Sequence, residues 1–272
     1  MIIGQGTTTG RFDAFNPLTM SSTQERDDLL THYRHLPEIA IWALLERLAD
    51  AACMMQNGHM PGGNLLMGWA NEVVHNDLKP LNIFLGKPET DAWPSYPTFQ
   101  LGDWGSAEET FAGDPRNPEE LTGWGTEGCC PPEQAENQKT HRLGYWSNIW
   151  AIGNLIVYAM NLPDVYQEQA YFKSKAKTAA VVNRPAIDAD ADNFYTDDLK
   201  DLVGECIKDQ PTERITPTEL RERIRKHVEQ TPDGEEAMRY RKGDQDVLHY
   251  YKTGKYELWS KEKVESIVDQ ID

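Results

Sequence analysis

VVHNDLKPLNIFLG, residues 73–86, sets an Asp, a Lys and an Asn within six positions between two short apolar runs. Asp77 and Asn82 lie five apart with Lys79 between them, and a second isolated carboxylate, Asp103, follows in GDWG (102–105). Phosphoryl transfer from a nucleotide needs such a set of parts. A carboxylate must orient the attacking hydroxyl and take its proton, a cation must meet charge building on the moving phosphoryl, and oxygen ligands must hold Mg²⁺ on the phosphates. Mg²⁺ takes few protein oxygens beside phosphate and water, so one Asp and one Asn amide oxygen suffice. The competing reading is plain turn chemistry, because Asn, Asp and Pro crowd into hairpin loops without function.

The bulk composition narrows the setting. At 272 residues and 31.0 kDa, with 39% hydrophobic residues, the chain can bury one large core or two small ones. Its 27 Lys and Arg stand against 44 Asp and Glu, a net charge of -17, which repels the phosphates of nucleic acid and of anionic membranes. A nucleotide remains possible where a local site outweighs the global field. Cys53, Cys129, Cys130 and Cys206 show neither a CxxC pair nor zinc spacing, and adjacent Cys129 and Cys130 make a poor bridge. Free thiols, no apolar run near the roughly 18 residues of a membrane span and no secretory pattern together predict an intracellular protein, cytoplasmic or nuclear. The seven histidines are dispersed and propose no metal cluster.

Outward from the opening stretch, the periodicity predicts a mainly α fold with a small β hairpin. Residues 1–36, rich in Thr, Ser, Gly and Asp, read as a loop or loosely packed arm. Pro37 opens a helix whose apolar face is Ile41, Leu45, Leu48, Ala52 and Met55, stopped by Asn57 and Gly58. Val73-Val74, Ile83-Phe84-Leu85 and TFQLG (98–102) read as strands, and residues 102–133 as irregular backbone, of a kind that is functional or disordered. SNIWAIGNLIVYAM (147–160) is nearly all apolar, as for a helix buried on most sides, with Trp146 and Trp150 in the core. Further helices are expected at about 165–177, 195–208 and 217–230, the last with Thr216 as cap and Pro217 in the first turn. Residues 231–272 read as a charged tail, partly helical near its end.

Five motifs in order resemble the protein kinase family, and specifically its larger, C-terminal lobe. HNDLKPLN resembles the catalytic loop H-R-D-L-K-P-x-N, GDWG the D-F-G metal loop, and GTEGCCPPE the G-T-x-x-Y-x-A-P-E that ends the activation segment. SNIWAIG resembles the start of the family's central helix, and Arg214 stands where the family places an Arg that pairs with the Glu of A-P-E, here Glu133. The resemblance covers about residues 37–230. It implies ATP and Mg²⁺ as cofactors and a protein hydroxyl as acceptor. Asp77 is then the catalytic base, Lys79 the partner of the transferred phosphate, Asn82 and Asp103 the metal ligands, and Thr126 the residue that braces the base and shapes the substrate site. His75, Gly105, Asn148, Glu133 and Arg214 are structural by the same resemblance, His75 as a packed scaffold residue. Lys79 resembles the serine/threonine branch, and NIFLG followed by LGD resembles the never-in-mitosis-related kinases.

The chain also departs from the pattern. Asn76 replaces the Arg that grips a phosphorylated activation loop, so switching through this residue is not expected. Asn148 replaces the central-helix Asp that anchors the catalytic loop, and Cys129 the usual Tyr. Only 36 residues precede Pro37, against the roughly 60 that a five-stranded nucleotide lobe needs, and no Lys precedes Lys79. GQGTTTG (4–10) has the wrong spacing for a phosphate-covering glycine loop. The expected organisation is thus a leader (1–36) that is no complete nucleotide lobe, a kinase-like lobe (37–230) and a tail (231–272). Three functions remain open: a serine/threonine protein kinase, a pseudokinase acting as an interaction module, and a small-molecule phosphotransferase of the aminoglycoside or choline kinase type. GTEGCCPPE and Arg214 argue against the third. The acidic AEE (107–109) and EEL (119–121) stretches read first as solvated charge, with a basic substrate peptide as their functional alternative.

Overall fold

The apolar spacing from residue 41 onward produces the helix it predicts. In the computed structural model, which describes residues 10–11, 36, 38–62, 68–86, 98–126, 128–134, 141–161 and 195–230, helix α1 spans Glu38–Asn57. Ile41, Leu45, Leu48, Ala52 and Met55 are all buried along one side of it. Gly58 ends it in the left-handed region (φ +70), its N–H donating to Met54 O at 2.8 Å. The first turn is tied down by Glu38, whose carboxylate accepts the Trp42 indole N–H (3.0 Å) and both the backbone N–H and hydroxyl of Thr196 (2.8 and 2.6 Å).

Helix α2, Tyr145–Asn161, is buried at every residue from Ser147 on. Continuous apolar character makes such a helix the centre of its domain rather than a surface element. It packs on α1 and on α3, Asp197–Cys206. Gly153 is needed at the second contact: a Cβ there would lie 2.7 Å from Cys206 Cβ and 2.6 Å from Ile207 Cγ2. Helix α4, Pro217–Gln230, begins as predicted, with Thr216 Oγ1 accepting the Glu219 N–H at 3.2 Å. It lies against α1, held by Arg221–Asp50 (2.6 Å), and reaches α3 through Arg223–Glu205 (2.6 Å).

Two small antiparallel sheets sit at one end of these helices. Strand β1 (Gly10–Arg11), β3 (Ile83–Gly86) and β4 (Thr98–Leu101) form a sheet in the order β1-β3-β4, with Ile83 opposite Leu101 and Gly86 opposite Thr98. Strand β2 (Glu72–Val74) pairs with β5 (Glu108–Thr110), Val73 opposite Glu109. The hairpin of β3 and β4 is the expected one. Two findings differ from the sequence reading. Gly10–Arg11 is strand rather than loop, paired through Gly10 with Leu85, and the segment expected to be irregular contains β5. Neither was readable, because two- and three-residue strands have no period and EET is polar; both exist because a partner strand supplies the hydrogen bonds. The helix expected at 165–177, the tail 231–272 and the rest of the leader lie outside the described residues.

One buried ion pair joins the segments that surround the core. Arg214 Nη1 and Nη2 donate to Glu133 Oε1 and Oε2 at 2.7 and 2.9 Å, with both side chains at most 1% exposed. The remaining Arg214 donors go to the carbonyls of Trp146, Lys208 and Asp209 (3.0, 2.7 and 3.0 Å), and Ser147 Oγ donates to Glu133 Oε1 (2.8 Å). Arg214→Met is expected to lower the unfolding free energy in denaturant titration by about 3–5 kcal/mol, since it strands a buried carboxylate. Adding Glu133→Met should recover only part of that loss, because three carbonyls lose the hydrogen bonds that Arg214 gave them.

Candidate active site

The loop between β2 and β3 has its backbone fixed before its side chains can act. Asn148, in the first turn of α2, accepts the His75 N–H through Oδ1 (2.9 Å) and donates Nδ2 to Val73 O (2.8 Å). A carboxylate at 148 could accept but could not make the second bond. His75 uses both ring nitrogens: Nδ1 accepts the Asp77 N–H (3.3 Å), and Nε2 lies 3.1 Å from Gly102 O, to which it donates. That pattern requires the neutral ring protonated on Nε2. Burial holds this imidazole below its usual 6.5, outweighing the Gly102 carbonyl and the Asp77 and Asp103 carboxylates, which pull it upward.

Asp77 then stands at the centre of a closed triangle. Thr126 Oγ1 donates to Asp77 Oδ1 at 2.7 Å, and Lys79 Nζ meets Asp77 Oδ2 and Thr126 Oγ1, each at 2.8 Å. The Asp77 and Lys79 side chains are 13% and 17% exposed, so the pair is sheltered without being sealed from solvent. Asn82, at the end of the 3₁₀ turn Pro80–Asn82, spends its amide nitrogen on Asp77, reaching the backbone O at 2.8 Å and Oδ2 at 3.3 Å. This leaves its Oδ1, a hard oxygen, for another task.

The hairpin brings the second carboxylate alongside. Gly102 N–H donates to Asn82 O at 2.9 Å, closing the base of β3–β4 and placing Asp103 next to the loop. Asp103 is exposed and left-handed (φ 58), a conformation Asp tolerates better than most residues. Trp104 follows with its ring 4.8 Å from that of His75. Gly105 has only Asp103 Oδ1 near a notional Cβ, at 3.5 Å, so nothing steric in the structure requires glycine there. The structure thus brings Asp77, Lys79, Asn82 and Thr126 together and sets Asp103 beside them, while Glu133, Arg214 and Asn148 act from behind. An amide oxygen and a carboxylate, without sulfur or imidazole, suit Mg²⁺ carried on phosphates.

The model of the protein kinase domain matches residues 66–224, a span that contains every residue of this site. The chain belongs to the protein kinase family. It is similar to the G2-specific protein kinase nimA of Emericella nidulans, with 27% identity over 197 residues, 66% of this chain and 25% of that protein. It is also similar to the serine/threonine-protein kinase Nek9 of Xenopus laevis, 22% identical over 244 residues, 78% of this chain and 23% of that protein. Nek9 of Mus musculus matches at 21% over 235 residues. The chain spans about a quarter of the length of the curated relatives it matches. The serine/threonine branch to which Lys79 pointed is the one these relatives support.

The stretch from Ser106 to Gln134 is held by a network that no motif announced. Asn76, in place of Arg, is left-handed (φ 64) and donates Nδ2 to Ser106 O (3.1 Å). Buried Asp114 receives Thr110 Oγ1 (3.2 Å), Arg116 Nη2 (3.0 Å) and the Arg116 N–H (3.0 Å), and the Arg116 side-chain bond holds its carboxyl below the usual range. Asn117 pairs with Leu143 in both directions at 2.8 Å, and Arg142 Nη2 donates to Phe111 O and Asp114 O at 3.0 Å. Gln134 joins the end of the segment to the loop, giving Nε2 to Asn76 O (2.7 Å) and to Trp124 O (2.8 Å). Among the described residues no helix is long and apolar enough to cross a membrane, and none of the four cysteines forms a disulfide.

Asp114→Asn should therefore speed amide hydrogen exchange across 108–117 and leave 149–158 unchanged; equal acceleration in both would show that the network is not local. His75 gives a pH dependence of definite sign. Its folded value lies below the unfolded one, so as pH falls through 6.5 the unfolded chain takes up a proton that the folded chain refuses. The contribution is fully present above 6.5 and is lost below it. NMR should show the ring titrating below 6.5, and His75→Gln should flatten the decline of stability between pH 6.5 and 5.

Proposed function

We propose that the chain carries the phosphoryl-transfer and substrate-binding half of a serine/threonine protein kinase, with ATP as donor and the hydroxyl of a protein Ser or Thr as acceptor. The observation that supports this most directly is the Asp77–Lys79–Thr126 triangle at 2.7–2.8 Å. A carboxylate already oriented by two donors is poised to align an incoming hydroxyl and take its proton as the oxygen bonds to phosphorus and ADP departs. Lys79 meets the charge on the transferred group. Asn82 Oδ1 and Asp103 would hold Mg²⁺, which would supply neutralisation of phosphate charge there. Family membership, the four cysteines without disulfides and the acidic surface are consistent with a reducing compartment, cytoplasm or nucleus, and with a protein rather than a nucleic-acid partner.

A second reading, a non-catalytic interaction module, draws on one observation: Asn76 stands where the family carries Arg, and its amide is spent on Ser106 O at 3.1 Å. The small-molecule phosphotransferase reading is disfavoured by the Glu133–Arg214 pair, which belongs to the A-P-E arrangement of protein kinases.

The 272-residue chain should bind Mg-ATP only weakly, and calorimetry returning a micromolar Kd that Asp103→Ala abolishes would contradict this. At millimolar Mg-ATP it should transfer phosphate to a Ser peptide slowly, and Asp77→Asn should reduce that rate by about 10²–10⁴. A folded chain with no transfer under those conditions decides for the interaction module.

A further inference from the structure

Trp124 lies just outside the machinery described above, and nothing in the transfer chemistry uses it. It is 59% exposed, the most exposed large apolar side chain among the described residues. Its geometry is nonetheless fixed. The indole N–H donates to Glu120 O at 3.3 Å, and the Trp124 carbonyl accepts Gln134 Nε2 (2.8 Å) and Cys130 Sγ (3.5 Å). The same Gln134 nitrogen holds Asn76 O, so one amide group ties the Trp124 backbone to the residue before Asp77. Gly123 and Gly125 flank it, both left-handed (φ +86 and +94). Gly125 packs where any Cβ would strike Asn76 O, while Gly123 opens onto space with nothing within 4 Å.

A single exposed aromatic ring is ordinary in itself, so what counts is where this one sits. Its position is informative. Only Gly125 separates it from Thr126, at most ~7 Å of chain, and Thr126 Oγ1 touches both Asp77 and Lys79. A peptide that delivers its hydroxyl to Asp77 must therefore pass close to the indole. The neighbouring charge indicates which side chain it carries there: Glu120, whose carbonyl the indole N–H meets, and Glu119 beside it are both exposed acidic residues.

We propose that Trp124 is a specificity-determining residue that receives an arginine of the substrate, its guanidinium stacked on the exposed indole face and drawn by the neighbouring carboxylates, within a few residues of the phosphoacceptor. The inference rests on the protein-kinase reading of the site. A planar cation suits this place because it is weakly hydrated and stacks on an aromatic face, whereas an ammonium gives up more hydration to do so. The indole N–H bond to Glu120 O limits the freedom the ring loses when a peptide arrives, which favours the contact.

The test uses fluorescein-labelled decapeptides with one Ser and a single Arg moved from three residues before it to three after, each paired with a citrulline peptide that keeps the shape and removes the charge. Anisotropy with the full chain should show, at one or two offsets, Arg binding roughly threefold to thirtyfold tighter than citrulline. Trp124→Ala should erase that difference, Trp124→Phe should keep part of it, and Glu120→Gln or added salt should shrink it. Circular dichroism should be unchanged in all three variants, since the ring is at the surface. No Arg preference at any offset, a preference that survives Trp124→Ala, or tighter binding of a Leu peptide in place of Arg would each overturn the proposal. Phosphate transfer followed on the same peptides separates the two readings: a Trp124-dependent Arg preference without transfer removes the kinase reading alone, and transfer without the preference removes this inference alone.

Discussion

The two charges of Glu133 and Arg214 have been taken out of water, and the rest of the structure is arranged so that neither is left alone. Moving such a pair indoors costs several kcal/mol per ion unless geometry and further hydrogen bonds return it. Both guanidinium nitrogens on the carboxylate, three backbone carbonyls on the remaining donors and the Ser147 hydroxyl on Glu133 supply that return. The arrangement reads as a specification more than a source of stability. It brings three stretches far apart in the chain to one point, the end of the activation segment, the start of α2 and the turn before α4. Ser147 is on that side of α2, and its neighbour Asn148 faces the catalytic loop. Position is thereby passed from a buried ion pair to an active-site backbone within one helical turn.

Short elements carry the chemistry and long ones carry the position. The helices α1, α2 and α4 bury their apolar faces in one core, and the two-, three- and four-residue strands lie against its end. Such strands have no independent stability. They persist because Ile83 and Phe99 are buried in the helical core and Val74 in a small cluster with Leu121 and Leu143. The β3–β4 hairpin then does geometrically what the sequence cannot do locally: it folds Asp103 back beside Asn82.

What could be read in advance followed from period and motif. The apolar spacing of 41–55, the continuous apolar run of 147–160 and the Thr216–Pro217 start each have a local physical cause, so each was legible as a helix, although α2 extends past its apolar run to Tyr145 and Asn161. The relation of Asp77, Lys79, Asn82 and Asp103 was legible as a list, because phosphoryl transfer demands those types, and Glu133 with Arg214 came through family likeness. The network of Asp114, Arg116, Asn117 and Arg142 was not. Its bonds run from side chains to carbonyls and to Leu143 across the fold, and no periodicity encodes a side chain that meets a distant backbone group. Gln134 was missed for the same reason. The trace that existed was the density of Asp, Asn, Arg and Pro in 114–118, which signals local turns as readily as long-range ties.

Asn148 changes the character of the catalytic loop's attachment. Where a carboxylate would hold the loop by charge, this amide gives one bond and receives one, both with neutral backbone groups. Counterions have no charge there to shield, and no proton can be added near neutrality to weaken it. These two bonds are consequently indifferent to the ionic medium, whereas the Asp77–Lys79 contact in front of them is not, so added salt would loosen that contact while the Asn148 bonds stayed in place.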